Sequence, residues 1–177
     1  MKVVRQYIIV GLVMLCGQGC SKFLCSDEEL GFARLENNAG ALKINGYYYG
    51  DITGVNSGNP DVYLFNKNGV FINRRSFNLN DAIAGNVNLE INDLKKKYKG
   101  DYGVYRIEGN RLEIQYWTSQ SNGCVSTLTE KGTITNDSTL KITSWSSSRD
   151  GKSKSVDAVF KFVHYSQKPD SVVSFIP

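Results

Sequence analysis

The stretch YGVYRIEGNRLEIQYW, residues 102–117, decides how this chain is read. Gly109 and Asn110 interrupt two runs of alternating apolar and polar residues, and both types accept the positive φ angles that a two-residue hairpin loop demands. A loop of that length fixes the pairing. Ile107 meets Leu112, Tyr105 meets Ile114 and Gly103 meets Tyr116 on one face, while Glu108 meets Arg111 and Arg106 meets Glu113 on the other. A slip of one residue would carry the apolar set onto the charged face, so turn chemistry and side-chain pattern independently specify the same antiparallel pair.

Outward from this hairpin, the chain from Ala41 is rich in Tyr, Phe, Val, Ile and Thr, with turn residues at short intervals, the composition of an all-β domain. Eight strands are expected near residues 42–52, 61–66, 69–76, 102–108, 111–118, 123–134, 139–145 and 156–165. A second hairpin turns at Asn66, Lys67, Asn68 and Gly69, where several loop lengths give acceptable apolar pairs and the register stays open. A third joins Ile134 to Leu140 through Asn136, Asp137 and Ser138, and a three-residue loop there sets Gly132 opposite Ile142. Between the third and fourth strands, Val87, Ile91, Leu94 and Tyr98 recur at spacings of four, three and four, which predicts a short helix with Lys95, Lys96 and Lys97 partly outside. An irregular insertion over 78–92 is the alternative. Consecutive hairpins without long crossovers predict an all-β, eight-stranded antiparallel up-and-down barrel with one short helix, because closure removes exposed sheet edges. An incompletely closed barrel or a two-sheet sandwich is the competing architecture.

The first residues read as an address. Lys2 and Arg5 form a basic start, and residues 7–15 (YIIVGLVML) are an apolar run of signal-peptide length, too short to span a bilayer comfortably. Gly19 and Cys20 follow, resembling a bacterial lipobox, in which the cysteine is acylated on sulfur and the chain is cut before it. Gly17 and Gln18 depart from the strict pattern. An ordinary secretory signal cut near Gly19, or lipidation at Cys25, are the alternatives. The expected organisation is a lipoprotein signal peptide over 1–19, a hydrated tether over 20–40 carrying Asp27, Glu28, Glu29 and Glu36, and one barrel domain over 41–177. Two or more acyl chains would hold the protein stably in a membrane, which points to the cell envelope, outer membrane, with the face undetermined.

Composition excludes several classes. Without Lys2 and Arg5 the chain keeps 19 basic against 17 acidic residues, too even a balance for nucleic-acid binding, and the run of Lys95, Lys96, Lys97 and Lys99 reads as a solvated face. Three of the four cysteines, Cys16, Cys20 and Cys25, precede the body and Cys124 lies within it, so no disulfide framework is expected. The single histidine, His164, argues against a multi-histidine metal centre. No GxSxG elbow, P-loop, HExxH or dinucleotide fingerprint is present, and Asp51, Asp61, Glu113 and Glu130 are scattered. No catalytic residue, metal or cofactor is therefore assigned, and His164 reads as a structural, hydrogen-bonded histidine.

The runs Ile44-Asn45-Gly46-Tyr47-Tyr48-Tyr49, Tyr63-Leu64-Phe65 with Asn68-Gly69-Val70, and Asp101-Tyr102-Gly103-Val104-Tyr105-Arg106-Ile107, continued by Gly132-Thr133-Ile134 and Phe160 to Phe162, resemble the small lipocalin-like (calycin-type) lipoproteins of Gram-negative anaerobic bacteria. The resemblance spans residues 42–170 and rests on hairpin corners and aromatic strand starts, with Tyr102 standing where the closest pattern has Trp. It implies the barrel and says nearly nothing of a ligand. The apolar face of Tyr105, Ile107, Leu112, Ile114 and Tyr116, with Ile134, Leu140, Ile142, Phe160 and Phe162, is a candidate lining of a cavity for a small apolar or amphipathic ligand, although such a face reads more readily as a filled core. A second expectation is an accessory lipoprotein that contacts an envelope protein through exposed aromatics, Trp117 and Tyr102, which the register sets opposite each other. Asp137-Ser138-Thr139 and Asp170-Ser171-Val172 also resemble a short O-glycosylation pattern, though Asp and Ser are ordinary turn formers.

Overall fold

In the computed structural model, which describes residues 26–36, 40–53, 59–74, 78–85, 99–119, 124–166 and 173–176, eight antiparallel strands close into a barrel in sequence order. They are β1 (Gly46–Gly50), β2 (Asp61–Phe65), β3 (Val70–Arg74), β4 (Tyr102–Glu108), β5 (Arg111–Ser119), β6 (Val125–Asn136), β7 (Thr139–Ser147) and β8 (Ser153–His164). β8 returns to β1 with Tyr48 opposite Phe162, so the sheet has no free edge. This is the closed up-and-down architecture that the succession of hairpins predicts.

The β4–β5 hairpin carries the expected register throughout, from Glu108 opposite Arg111 to Gly103 opposite Tyr116. Gly109 takes a φ of 63° at its corner. On the outer face the Arg106 Nε donates to Glu113 Oε2 at 2.7 Å, and Lys131 stands 3.5 Å from the same carboxylate. The β6–β7 hairpin sets Gly132 opposite Ile142 as expected, but through a two-residue turn, Asp137 and Ser138, with a bulge between Ile134 and Asn136 making up the register in place of a three-residue loop. The open register of the second hairpin resolves to Leu64 opposite Ile72 and Phe65 opposite Phe71.

A six-residue helix, α1 (Leu79–Ala84), follows β3. The Asn78 side chain caps the N–H of Asn80 at 2.9 Å, and Gly85, at a φ of 76°, ends it. α1 falls in the stretch for which irregular insertion was the alternative reading. The helix expected on Val87, Ile91, Leu94 and Tyr98 lies outside the described residues. Among the described residues no helix is long and apolar enough to cross a membrane.

The sheet is apolar on both sides along half its circumference. Inside, Tyr48, Tyr63, Phe65, Phe71, Tyr105, Ile114 and Phe160 belong to one buried cluster. Outside, Tyr47, Val62, Leu64, Val70, Ile72, Tyr102, Val104 and Trp117 form a second, with Ala82 of α1 and Val173 and Ile176 near the C-terminus. The Tyr47 hydroxyl donates to the Ala82 carbonyl at 2.7 Å, which ties α1 to the wall. The expectation that Trp117 and Tyr102 are exposed is overturned: each is only 1% exposed. The physical cause is Phe175, which meets both rings edge-on at 5.8 and 5.4 Å, with the Lys99 ammonium 5.1 Å from the Trp117 ring.

Residues 26–36, within the stretch read as a tether, run along the outer wall of β5 and β6. The Glu28 N–H donates to the Val125 carbonyl at 3.1 Å, and the Glu28 carbonyl accepts from the Trp117 indole at 2.6 Å. The Glu28 carboxylate accepts from the Thr127 N–H at 2.8 Å, from the Thr127 hydroxyl at 3.1 Å, and from Ser148. Gly31 N–H donates to Gln115, and Leu30 and Phe32 pack on the outer cluster. Beside this strap, Cys124 is disulfide-bonded; the other three cysteines lie outside the described residues.

A Cβ at Gly103 would come 2.0 Å from the Gln115 carbonyl oxygen and 2.5 Å from the Tyr116 Cβ, so Gly103→Ala should cost about 1–3 kcal/mol in urea unfolding. Gly109→Asn, at a corner with nothing within 4 Å, should stay within about 1 kcal/mol, because Asn tolerates the left-handed region. For the strap, burial raises the Glu28 carboxyl, but the hydroxyl of Ser148 and both groups of Thr127 outweigh it and hold it below the ordinary 4.5. Its contribution is then complete above that value and is lost as pH falls through the lower folded one. The indole N–H resonance of Trp117 should report strap release in acid, and Glu28→Gln should abolish that step.

Candidate binding cavity at the barrel mouth

The two ends of the barrel differ because the connections do. The turns at 66–69, 109–110 and 137–138 are short and share one end, which residues 41–45 also close. There the Lys43 N–H donates to the Tyr48 hydroxyl at 3.1 Å, that hydroxyl donates to the Asp137 carbonyl at 3.0 Å, and the Lys43 ammonium stands 3.0 Å from the Asp137 carboxylate. The same ammonium donates to the Ser138 hydroxyl at 2.9 Å, so that serine is engaged within its turn. Ser171 lies outside the described residues. The longer connections, after β1, β3, β5 and β7, gather at the other end, the mouth.

Rings fill most of the interior. Tyr63 stacks on Phe160 at 4.2 Å between centroids and meets Phe71 edge-on at 5.1 Å. Phe65 contacts Tyr48, Phe71 and Tyr105, and Phe71 contacts Tyr116. The ten residues read as cavity lining do converge inside: Tyr105, Leu112, Ile114, Tyr116, Ile134, Leu140, Ile142 and Phe160 are buried, with Ile107 and Phe162 packed against them. They are packed as core, and of the ten only Tyr116 lines the mouth cavity. The physical reason is the inward set of β1–β3, Tyr48, Tyr63, Phe65 and Phe71, whose rings occupy the central volume and of which the β2–β3 register is open in the sequence.

Packing stops short of the mouth. There a cavity of about 230 Å³ is lined by Ile52, Thr53, Tyr116, Leu128, Glu130, Trp145 and Lys154. Glu130, 1% exposed, accepts from the Tyr63 hydroxyl at 2.7 Å on one carboxylate oxygen and from the Tyr116 hydroxyl at 2.8 Å on the other. Burial, and then the negative charge of Glu130, push the Tyr63 phenol well above its ordinary range, so it stays a donor at any physiological pH. Asp61 is also buried, and its carboxylate accepts from the Ile52 N–H at 3.2 Å, holding the chain at the cavity rim.

Trp145 reaches this cavity through a break in alternation. β7 shifts register between Ile142 and Ser144 against both neighbours, after which Glu130 pairs with Trp145 and Trp145 with Lys154. Ile142 and Trp145 thus share the inner face although an odd number of positions separates them. Sequence reasoning missed Glu130 and Trp145. The signal for Glu130 was available, since it alternates with Leu128, Gly132 and the inward Ile134 on β6; nothing in the residues marks the irregularity that turns Trp145. His164 lies exposed opposite Gly46, at the closed end and away from the mouth, so it does not converge with Glu130. Among the described residues no cluster of His, Cys, Asp or Glu could hold a metal ion. The chain matches no protein-family model, no curated protein and no solved structure.

Removing one phenol leaves a buried carboxylate short of a donor, which costs about 1–3 kcal/mol. Tyr63→Phe and Tyr116→Phe should each lower the urea midpoint accordingly. A double-mutant cycle of Tyr63→Phe with Glu130→Gln should return a coupling of about 1 kcal/mol or more, as contacting polar groups do.

Proposed function

We propose that this protein is a non-catalytic, membrane-anchored binding module of the bacterial envelope whose barrel mouth takes one small amphipathic molecule. The observation that carries this reading is the mouth cavity itself, an apolar recess with a buried carboxylate at its floor. Few convergent polar groups in a mainly apolar hollow is the usual character of a small-molecule site. A cavity of roughly 150 Å³ is enough for benzene, so about 230 Å³ suits one ring with a short polar chain and is too small for a fatty acid or sterol.

Anchoring rests on the sequence. Cys20 is the acylated residue, palmitate-type chains on it hold the protein to the outer membrane, and the signal before it is removed. The disulfide on Cys124 supports residence in an oxidising compartment. On this reading Cys16 leaves with the signal and the Cys20 sulfur carries lipid, so Cys25 is the cysteine left for Cys124. The docking of Asp27 and Glu28 beside Val125 agrees with that pairing.

A second reading, an accessory lipoprotein that contacts an envelope protein through its outer surface, has one observation in its favour. Leu79 and Ile83 of α1 and Val159 of β8 are 42%, 53% and 49% exposed and line a groove of about 430 Å³ outside the barrel. That groove takes the place of the buried Trp117 and Tyr102 in this hypothesis.

Native mass spectrometry of the protein from its own host tests the first reading. The expected result is a mass excess of acyl chains that localises to Cys20, a linked Cys25–Cys124 peptide without reduction, and a retained molecule with about a dozen heavy atoms. Cys20→Ser should move the protein to the soluble fraction. An unmodified Cys20 would remove the anchor; a stoichiometric partner protein, lost on Ile83→Asp, would favour the second reading.

A further inference from the structure

We propose that the mouth cavity selects a small zwitterion with an apolar or aromatic body, its ammonium held by Glu130 and its carboxylate by Lys154. This rests on reading the mouth as a binding cavity and adds the chemistry of the occupant.

Glu130 on β6 is opposite Trp145 on β7, and Trp145 is opposite Lys154 on β8, so the three stand in one row across adjacent strands. All three line the same cavity. Neighbouring strands lie about 4.8 Å apart, which sets the backbones of the two charged residues roughly 10 Å apart with the indole between them. The long apolar stem of a lysine lets its ammonium lean over such a gap while its head stays in water.

The two charges differ in depth. Glu130 is buried at the floor, oriented by the two phenols, whereas Lys154 is exposed at the rim and has no ion-pair partner among the described residues. Ile52, Leu128 and the ring of Trp145 supply the apolar wall between them. A ligand that is only a cation meets the lysine on entry, and one that is only an anion meets the carboxylate at the floor. A molecule bearing both charges, with its amine leading, answers each group with its opposite. Trp145 adds an aromatic face against which a ring can stack and beside which an ammonium is attracted. The volume admits an apolar α-amino acid and excludes a longer peptide.

The test uses the intact chain and four matched probes: L-phenylalanine, 2-phenylethylamine, 3-phenylpropionate and 2-phenylethanol. Calorimetry and the ring resonances of Trp145 read binding, and thermal melts confirm that each variant is folded. Phenylalanine is expected to bind about tenfold more tightly than any of the others. Lys154→Met, a change at an exposed side chain, should weaken phenylalanine by up to about fivefold, the range of an exposed ion pair, and leave 2-phenylethylamine unchanged or tighter. Glu130→Gln should weaken both amines by about tenfold or more, as loss of a charge-assisted hydrogen bond does. If Glu130→Gln does not fold, the opposite responses of the two amines to Lys154→Met decide alone. Binding of 2-phenylethanol as tight as that of phenylalanine, or indifference of phenylalanine to Lys154→Met, overturns the zwitterion while the cavity stands. Failure of all four probes to shift Trp145 at millimolar concentration overturns both.

Discussion

Closure of eight strands sets the interior volume of this protein, and nearly every other feature follows from how that volume is filled. A barrel of this strand number is just wide enough for side chains to meet at its centre. Here the meeting is aromatic, with Tyr48, Tyr63, Phe65, Phe71, Tyr105, Tyr116 and Phe160 drawn from six different strands. Aromatic pairs add about 0.5–1.5 kcal/mol each beyond their buried area, so the rings lock the strands to one another as well as filling space. Because they crowd the centre and the short-turn end, the volume left over lies at the mouth, among Ile52, Leu128, Glu130 and Trp145. The position of the cavity is thus a consequence of how the rings pack.

The sequence was legible where one face of a strand pair is wet and illegible where both are dry. In β4 and β5 the outer positions Arg106, Glu108, Arg111 and Glu113 are charged, so alternation and turn chemistry specify one register. β2 reads DVYLF and is buried along its whole length, and β3 is buried over four of its five residues. Such strands present continuous apolar runs, and periodicity cannot say which residues face in. That ambiguity propagates: with the inward rings of β2 and β3 unassigned, the apolar face of β4 and β5 fits both the lining of a hollow and a filled core, and the inward rings make it core. The site itself was hidden for a different reason. Glu130 sits at an inward position that alternation marks but hydropathy argues against, and Trp145 owes its position to a register shift that no residue pattern announces.

What covers the outer apolar wall was also beyond local pattern. Strand sequences show that a face is apolar but not which distant segment will bury it. The coverings come from far along the chain: Leu30 and Phe32 from the start, Ala82 from α1, and Val173, Phe175 and Ile176 from the end. The acidic stretch that composition assigns to a hydrated linker becomes a strap because Glu28 finds the Thr127 N–H, the Thr127 hydroxyl and Ser148 in one place. Three donors on one carboxylate reverse the expectation from charge alone, since a hydrogen-bonded carboxylate is favoured in its ionised form even where burial opposes it.

A carboxylate inside a barrel is not explained by stability. Taking it out of water costs several kcal/mol, and exchanging a buried polar group for a well-packed apolar one is often neutral or favourable. The two phenols that donate to Glu130 offset that cost, yet a leucine at this position with phenylalanines at 63 and 116 would have none to offset. The depth of the residue is therefore informative. On the inner face of β6, Leu128 is half-buried nearer the mouth, and Ile134 is buried toward the closed end. Glu130 lies between them, where the aromatic packing ends and the open volume begins. A carboxylate there is held in fixed orientation by the two phenols and lines the mouth cavity, the arrangement that lets a buried polar group act on something other than the fold.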